Sequence, residues 1–399
     1  MRPEEQQALY QQTLALHEAG QLEEAARGYA TLLDLHPDGD LLLYNFGLLQ
    51  FSRKRYHQAA ELFSRAAALC PESADYRYNL GLALKRAGRL AEAEQAYLEA
   101  GRLAPDDLDV QYNLAGCYKD AGRLEEAIRL YRQVLDRDSD HCAALNNMAY
   151  LYHRLGEYSR AASLYRRLLR LRPDDQGVAY MLASLEGRTM AGPPKTYISE
   201  LFDQYAGRFE QDLLSTLDYR VPALLQELFT RFEGRKSCYA RMLDLGCGTG
   251  LAGEVFRPFC RFMAGVDLSA RMIDQARKKS LYDVLAVADI IDYLTDVSPK
   301  SDLLVAADVL TYLGDLEPLF AALDPVAQPG GLFCFSTEHG ADRPFRLQAT
   351  GRFSHDPVYV TSLARKYGWQ VQQVKRAGLR REAGKWITGE VFLLRRNEG

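Results

Sequence analysis

The sequence predicts two different folds in one chain: an all-α superhelix, followed by an α/β domain with a mostly parallel, seven-stranded sheet. Two observations carry this prediction. A 34-residue period runs through the first half of the chain, and short apolar segments alternate with helical segments through the second half. At 399 residues the chain is long enough for two domains that each bury a core.

The 34-residue period is marked by small and aromatic residues. Alanine recurs at Ala25, Ala59, Ala93, Ala127 and Ala161, and an aromatic residue follows each alanine by four positions. Residues four apart share a helix face, while glycine and proline in the same phase turn the chain and end the second helix. The pattern resembles the tetratricopeptide repeat. It predicts five repeats over about residues 6–175, plus a capping helix, in a repeat domain of residues 1–190.

Asparagine recurs with the same period, at Asn45, Asn79, Asn113 and Asn147. In tetratricopeptide proteins the matching position lies on the concave face and often hydrogen-bonds the backbone of a bound peptide. The resemblance therefore implies a protein or peptide partner on the concave surface of the repeats. A purely structural role, as a consensus residue of the repeat, suits these asparagines equally well.

A Gly-Pro-Pro linker, "TMAGPPKT", predicts the start of the second domain, residues 191–399. The next segment, 196–232, is helical and rich in aromatic residues. Phe202, Tyr205 and Phe209 form one apolar stripe on it. We interpret this segment as a lid over a bound cofactor, with Tyr205 as a cofactor contact; a plain core helix is the alternative.

A glycine-rich turn, "MLDLGCGTG" at 242–250, follows the first predicted strand and fits two patterns. One is the dinucleotide fingerprint G-x-G-x-x-G. However, Asp244, Asp267 and Asp289 each lie at the end of one of three successive strands, and a carboxylate at Asp244 would repel a diphosphate. Three acids at neighbouring strand ends suit a cationic adenosine ligand without a diphosphate. The turn therefore predicts an S-adenosylmethionine site.

The segments "LDLGCGTG", "GVDLSARMIDQAR", "VADI", "AADVLTYLGDLE" and "PGGLFCFSTE" resemble class I S-adenosylmethionine-dependent methyltransferases, in order and spacing. With its repeats, the chain resembles predicted bacterial methyltransferases that carry tetratricopeptide repeats at the N-terminus. The resemblance implies a Rossmann-like sheet with an antiparallel last strand. It also implies that the cofactor contacts are Asp244, Gly246, Cys247 and Gly248 at the methionine part, Asp267 at the ribose, Leu268, Met272, Asp289 and Ile290 at the adenine, and Asp308 near the methyl group.

Candidate catalytic residues follow the fourth and fifth predicted strands. Tyr312, His339 and His355 are placed to take a proton from a hydroxyl or amine acceptor. A carboxylate acceptor needs no base, and Arg346 or Arg352 in the basic C-terminal part would then position it. Each of these residues also suits an ordinary surface or loop position.

The leading interpretation is a methyltransferase whose repeats recruit a protein partner or substrate. Two alternatives remain: an O-methyltransferase of small carboxylates or hydroxyl compounds, with repeats used for assembly, and a non-catalytic cofactor-binding scaffold. A net charge of −4 gives no global reason to expect nucleic acid as a partner, and none is expected. We expect no membrane association, because no apolar run could span a bilayer. The spacing of cysteines and histidines predicts neither disulfides nor a metal site, as in a cytoplasmic enzyme.

Overall fold

The computed structural model describes residues 1–207, 209–234, 238–296, 299–382 and 384–398. Two compact units divide the chain, Met1–Leu171 and Arg172–Gly399. The first is helical, and each helix packs on the next along the chain. Its helices are α1 Pro3–Glu18, α2 Leu22–Leu35, α3 Asp40–Ser52, α4 Tyr56–Leu69, α5 Ala74–Arg86, α6 Leu90–Leu103, α7 Leu108–Asp120, α8 Leu124–Arg137, α9 Cys142–Arg154 and α10 Tyr158–Leu171.

The periodic residues occupy the positions that the repeat pattern predicts. All five periodic alanines are fully buried, and the aromatic residues that follow them are at most 3% exposed. The glycines between paired helices have positive φ, as in Gly88 at +80°. Lys54 stands where one repeat lacks its glycine and adopts φ +59°. A side chain in this left-handed region costs about 1 kcal/mol, so the turn is dictated by the packing of α3 and α4 and not by the local residue.

The second unit begins with helices and continues as an α/β fold. Its helices are α11 Gln176–Leu185, α12 Lys195–Tyr205, α13 Phe209–Gln211, α14 Val221–Glu233, α15 Leu251–Phe256, α16 Ala270–Lys278, α17 Ile290–Asp296, α18 Glu317–Leu323 and α19 Pro357–Lys366, with a π-helical turn at Asp212–Thr216 and 3₁₀ turns at Arg257–Phe259 and Leu310–Tyr312. Its strands are β1 Tyr239–Leu245, β2 Cys260–Asp267, β3 Val284–Val287, β4 Ser301–Ala306, β5 Ala327–His339, β6 Phe345–Leu347, β7 Phe353–His355, β8 Trp369–Glu382 and β9 Lys385–Arg396.

Seven strands of this sheet are the predicted ones. They run in the order β3-β2-β1-β4-β5-β9-β8, with β1 to β5 parallel and β9 antiparallel to both of its neighbours. The short strands β6 and β7, which the sequence analysis did not predict, extend the sheet beside the end of β5. The strand order reverses at β1, so a crevice opens above the carboxyl ends of β1 and β4.

Helices cover both faces of the sheet. Val221, Leu225 and Phe229 of α14 belong to one apolar core with β1, β4, β5 and β9, and α17, α18 and α19 belong to a core on the other face. The second half of the predicted lid, α14, is therefore a core helix. Pro222 lies in its first turn, where the missing N–H costs nothing, so this proline is compatible with the start of the helix.

The predicted capping helix is α11, and it lies in the second unit, although the sequence analysis assigns residues up to 190 to the repeats. The Tyr180 hydroxyl donates to the Gly351 carbonyl at 2.7 Å, and the Tyr197 hydroxyl contacts the Met181 sulfur at 3.1 Å. These contacts tie α11 to α12 and to the segment before β7. The compact units therefore divide before this helix.

Candidate functional site

The glycine turn after β1 is built on left-handed backbone. Gly246, Gly248 and Gly250 have φ of +68°, +55° and +95°. A Cβ at Gly246 would overlap the side chain of Val309, which follows β4. Glycine at 246 is thus required both by the backbone and by the approach of the β4 end. The turn leads directly into α15, whose first residue follows Gly250.

The dinucleotide pattern has a packing explanation. Gly253 leaves room for the side chain of Tyr282, because a Cβ at position 253 would overlap the Tyr282 hydroxyl. A Cβ at Gly265 of β2 would lie 2.9 Å from the same ring. The third glycine of G-x-G-x-x-G therefore accommodates a tyrosine that precedes β3. Tyr282 is a site residue that the sequence analysis missed, because nothing local marks it.

Asp244 is a fully buried carboxylate beside this turn. Its Oδ2 accepts a hydrogen bond from the Tyr282 hydroxyl at 2.6 Å, and its Oδ1 has no partner among the described residues. Burial raises the pKa of Asp244 to about 7, and the nearby Asp267 adds to the rise. A buried carboxylate oxygen without a donor is costly unless a ligand supplies one. The arrangement fits a ligand with an ammonium group.

Asp267 ends β2 and holds the glycine turn in place. Its Oδ2 accepts from the Gly248 backbone N–H and its Oδ1 from the Ser269 N–H, both at 2.9 Å. Burial raises the pKa of Asp267, and these backbone donors oppose the rise. Each carboxylate oxygen keeps a further lone pair for a ligand hydroxyl. Cys247 lies between the glycines and is buried.

The residues predicted at the adenine lie around the ends of β2 and β3. Leu268 is partly exposed, whereas Met272 and Ile290 are buried. Asp289 caps α17, a helix that was not predicted: its Oδ1 accepts from the N–H groups of Ile291 and Asp292 at 3.0 and 3.2 Å. Its contact with adenine remains a prediction.

The aromatic stripe of the predicted lid points in two directions. The Phe209 ring lies next to Gly248: a Cβ added at Gly248 would be 3.9 Å from it. The Phe202 ring packs edge-on against the Tyr312 ring, with 5.3 Å between the ring centroids. Tyr205, by contrast, is 42% exposed. The structure therefore places Phe202 and Phe209 beside the crevice, and the contact of Tyr205 with a cofactor remains a prediction.

Polar contacts fix α12 above the ends of β2 and β3. Asp203 accepts from the Ser269 hydroxyl at 2.5 Å and from the Arg271 N–H at 3.2 Å. Lys195 binds Asp292 at 2.7 Å and Asp289 at 3.4 Å. The first part of the lid is thus tied to the edge where a ligand of Asp267 would lie.

A buried group of charges fills the region after β4 and β5. Arg380 donates through Nη1 to both oxygens of Asp308 at 2.7 Å, and it also binds Glu338 and, at 3.1 Å, Glu382. Arg352 binds the same two glutamates. We call these five residues the carboxylate–arginine cluster. Arg380 is 2% exposed, so its guanidinium is held by these carboxylates in the interior and not by solvent.

Two tyrosines border the carboxylate–arginine cluster. Burial raises the pKa of Tyr312, and Arg352 and Arg380 close to it oppose the rise. Burial also raises the pKa of Tyr219, and the negative charge of Asp308 adds to this rise. Tyr312 is therefore held in its protonated form near neutral pH, and its role as a catalytic residue remains a prediction.

The two histidines predicted as bases lie elsewhere. His339 follows Glu338 in β5, so its side chain points to the opposite face, where Nδ1 meets Glu390 at 2.8 Å. His355 pairs with His339 across β5 and β7 and is fully buried, with Nε2 bonded to the Gly314 carbonyl at 3.0 Å. Burial lowers the pKa of His355 to about 4. Within the part of the chain that the structure describes, neither histidine is hydrogen-bonded to Asp308, and their catalytic roles remain predictions.

The periodic asparagines link successive repeats. Each donates through Nδ2 at 3.0 Å to a tyrosine hydroxyl 35 residues earlier, in the pairs Tyr10–Asn45, Tyr44–Asn79, Tyr78–Asn113 and Tyr112–Asn147. The amide nitrogens therefore have a structural role. The signal was present in the sequence as the repeated dipeptide Tyr-Asn. Peptide binding by these asparagines remains a prediction.

Comparison with known proteins agrees with this architecture. A methyltransferase domain model matches residues 243–335, and tetratricopeptide repeat models match 10–74, 44–107 and 106–174. The chain thus contains a methyltransferase domain and tetratricopeptide repeats. Among the described residues, no helix is long and apolar enough to cross a membrane. Nor does the described part of the chain hold a group of three or more His, Cys, Asp or Glu side chains suited to a metal ion.

Two curated proteins are similar to part of the chain. Methyltransferase-like protein 27 of Homo sapiens is 31% identical over 34% of this chain and 56% of its own length. The malonyl-[acyl-carrier protein] O-methyltransferase of Hamiltonella defensa is 30% identical over 36% of this chain and 52% of its own. The chain therefore spans about half the length of these relatives. The N-methyltransferase NodS from Bradyrhizobium japonicum, solved with S-adenosyl-L-homocysteine, is 19% identical over 49% of this chain and 98% of its own, with a TM-score of 0.39.

Proposed function

We propose that the second unit binds S-adenosylmethionine and transfers its methyl group to an acceptor. The observation that carries the proposal is the unpartnered, fully buried Oδ1 of Asp244 beside the glycine turn. The ammonium of the methionine part supplies the donor that this oxygen lacks. A diphosphate would bring further negative charge to the same place, so the arrangement disfavours a dinucleotide.

Each residue around the turn has a separate part in holding the methyl donor. Asp267 would accept the ribose hydroxyls through lone pairs that Gly248 and Ser269 do not use. Gly246 and Gly248 let the backbone approach closely, since neither carries a side chain. Phe209 covers Gly248, and Phe202 packs on Tyr312, so the two aromatic rings exclude water from the crevice.

The bound sulfonium supplies an electrophilic methyl carbon, and in-line displacement requires mainly that the acceptor be aligned. Asp308 is well suited to this role, because it leaves β4 with φ +59° and its carboxylate is fixed by Arg380. A residue held in this conformation by its surroundings is pre-organised and does not need to reorient during the reaction.

Calorimetric titration of the full chain with S-adenosylhomocysteine and with NAD tests the proposal. We expect S-adenosylhomocysteine to bind and NAD not to bind. The ammonium must displace the proton that Asp244 carries below pH 7, because the raised pKa of Asp244 is about 7. Affinity should therefore rise by up to about tenfold per pH unit between roughly pH 5 and pH 7 and then level off.

Two controls accompany this titration. In Asp244→Asn the side chain no longer titrates, so the pH dependence should disappear while weaker binding persists. Binding of NAD, or an affinity for S-adenosylhomocysteine that falls from pH 5 to pH 7, would contradict the proposal.

We further propose that the repeats recruit a protein acceptor or partner, in the cytoplasm. In each Tyr–Asn pair the phenol accepts from the asparagine, so its own O–H is left to donate to a peptide carbonyl. The variant Asn79→Ala/Asn113→Ala should keep its affinity for S-adenosylhomocysteine and lose methyl transfer to a protein acceptor. Unchanged transfer would reject recruitment through these pairs.

A further inference from the structure

The carboxylate–arginine cluster keeps hydrogen-bonding capacity that the described part of the protein does not use. Glu338 and Glu382 bind both guanidiniums through Oε1 alone, so each Oε2 lacks a donor among the described residues. The hydroxyls of Tyr219 and Tyr312 also make no hydrogen bond there. Two acceptors and two donors are therefore left for a molecule that enters from outside.

The cluster is open on one side. The side chains of Asp308 and Glu382 are 17% and 26% exposed, whereas that of Arg380 is only 3% exposed. Arg380 thus forms the base of the cluster, and the two carboxylates border its opening. The opening adjoins the glycine turn, because Val309, next to Asp308, is the residue that contacts Gly246.

The charges of the cluster do not cancel. Asp308, Glu338 and Glu382 contribute three carboxylates, and Arg352 and Arg380 contribute two guanidiniums, which leaves one negative charge in excess when all five are ionised. Both guanidiniums already hold internal carboxylates. A carboxylate acceptor would have to compete for them and would add to the excess charge, which costs more in a partly buried site than in water.

We infer that the acceptor methylated at this site is an amine, bound by the free oxygens of Glu338 and Glu382. This inference rests on the proposed function and names its substrate class. The bound ammonium first loses one proton to a carboxylate oxygen at the opening, which passes it on to water. The nitrogen lone pair that is freed forms the bond to the methyl carbon, and the carbon–sulfur bond breaks with its electron pair left on sulfur as a neutral thioether.

The charge balance of the reaction explains this preference. When an amine is methylated, the positive charge moves from sulfur to nitrogen, so an excess negative charge stabilises it throughout. When a carboxylate is methylated, both charges vanish and the excess charge stabilises nothing. An alcohol needs a base much stronger than a carboxylate, and the tyrosines here keep their protons.

Matched probes test the inference on the full chain saturated with S-adenosylhomocysteine. We expect n-propylammonium to bind at least about tenfold more tightly than propionate or propanol, the gain of one charged hydrogen bond. Glu382→Gln should remove most of that preference and leave affinity for S-adenosylhomocysteine unchanged. Glu227→Gln is the matched control, because Glu227 lies on α14, where it pairs with Arg231 and Lys375, and it should bind the probes like the unmodified protein.

The outcomes distinguish a failure of the amine inference from a failure of the proposed function. Equal or tighter binding of propionate, or binding of none of the three probes to the saturated protein, overturns the amine inference and leaves the proposed cofactor intact. A preference for propylammonium that survives Glu382→Gln and Glu338→Gln together also overturns it, since the carboxylates would not be responsible. Failure of S-adenosylhomocysteine itself to bind overturns the proposed function.

Discussion

Replacing Asp267 with alanine lowers the affinity for S-adenosylhomocysteine by at least about a hundredfold. Hydrogen bonds to a charged acceptor are worth about 1.5–3 kcal/mol each, and two ribose hydroxyls would lose theirs together. The substitution also releases the N–H groups of Gly248 and Ser269, which the carboxylate holds at 2.9 Å. Calorimetry or equilibrium dialysis measures the loss directly.

Two further variants make this result interpretable. Asp267→Asn keeps one acceptor oxygen and should lose less affinity than the alanine variant. Asp274→Ala removes an aspartate whose side chain is 62% exposed on α16, where it pairs with Arg277, and this variant should bind like the unmodified protein. If Asp267→Ala binds within about threefold of the unmodified protein, the ribose is held elsewhere and the site needs another assignment.

Gly246→Ala should destabilise the second unit by about 2–5 kcal/mol and abolish binding of S-adenosylhomocysteine. The left-handed backbone costs about 1–2 kcal/mol for alanine, and the overlap with Val309 costs a further 1–3 kcal/mol. Urea unfolding followed by tryptophan fluorescence reports the change, because Trp369 and Trp386 both lie in this unit.

A double-mutant cycle separates the two causes. Val309→Ala removes the Cγ2 atom that would lie 2.3 Å from the new methyl group but keeps the Cβ at 2.8 Å, so Gly246→Ala should cost less in that background, by about 1–2 kcal/mol. The backbone contribution should persist. Gly192→Ala serves as the control, since a Cβ there meets open space and the backbone is not left-handed. Additive effects of Gly246→Ala and Val309→Ala would show that the overlap is relieved without cost.

The sequence was informative wherever a residue's role depends on its immediate neighbours along the chain. The buried alanines of the repeats follow from a 34-residue period, and Asp267 follows from its place at a strand end. The turn at Gly246 follows in the same way, because a short glycine-rich loop between strand and helix has few solutions.

Roles that depend on distant parts of the chain were not predictable in this way. Asp308 and Arg380 are 72 residues apart and meet only because β8 returns beside β9. Tyr282 reaches Asp244 across 38 residues. The position of His339 could not be predicted for a simpler reason. Alternation along β5 places Glu338 on one face and His339 on the other, and the sequence alone does not say which face carries the carboxylate–arginine cluster.

Helix α11 has a consequence for how modules of this kind can be exchanged. Tyr180 lies 68 residues, or two periods, after Tyr112, so α11 keeps the phase of the repeats, while the Tyr180 hydroxyl bonds the Gly351 carbonyl within the second unit. A chimera joined at residue 190 would discard this helix with the repeats and leave Gly351 without its donor. A chimera that exchanges the repeats should therefore be joined after Leu171, so that α11 stays with the methyltransferase domain.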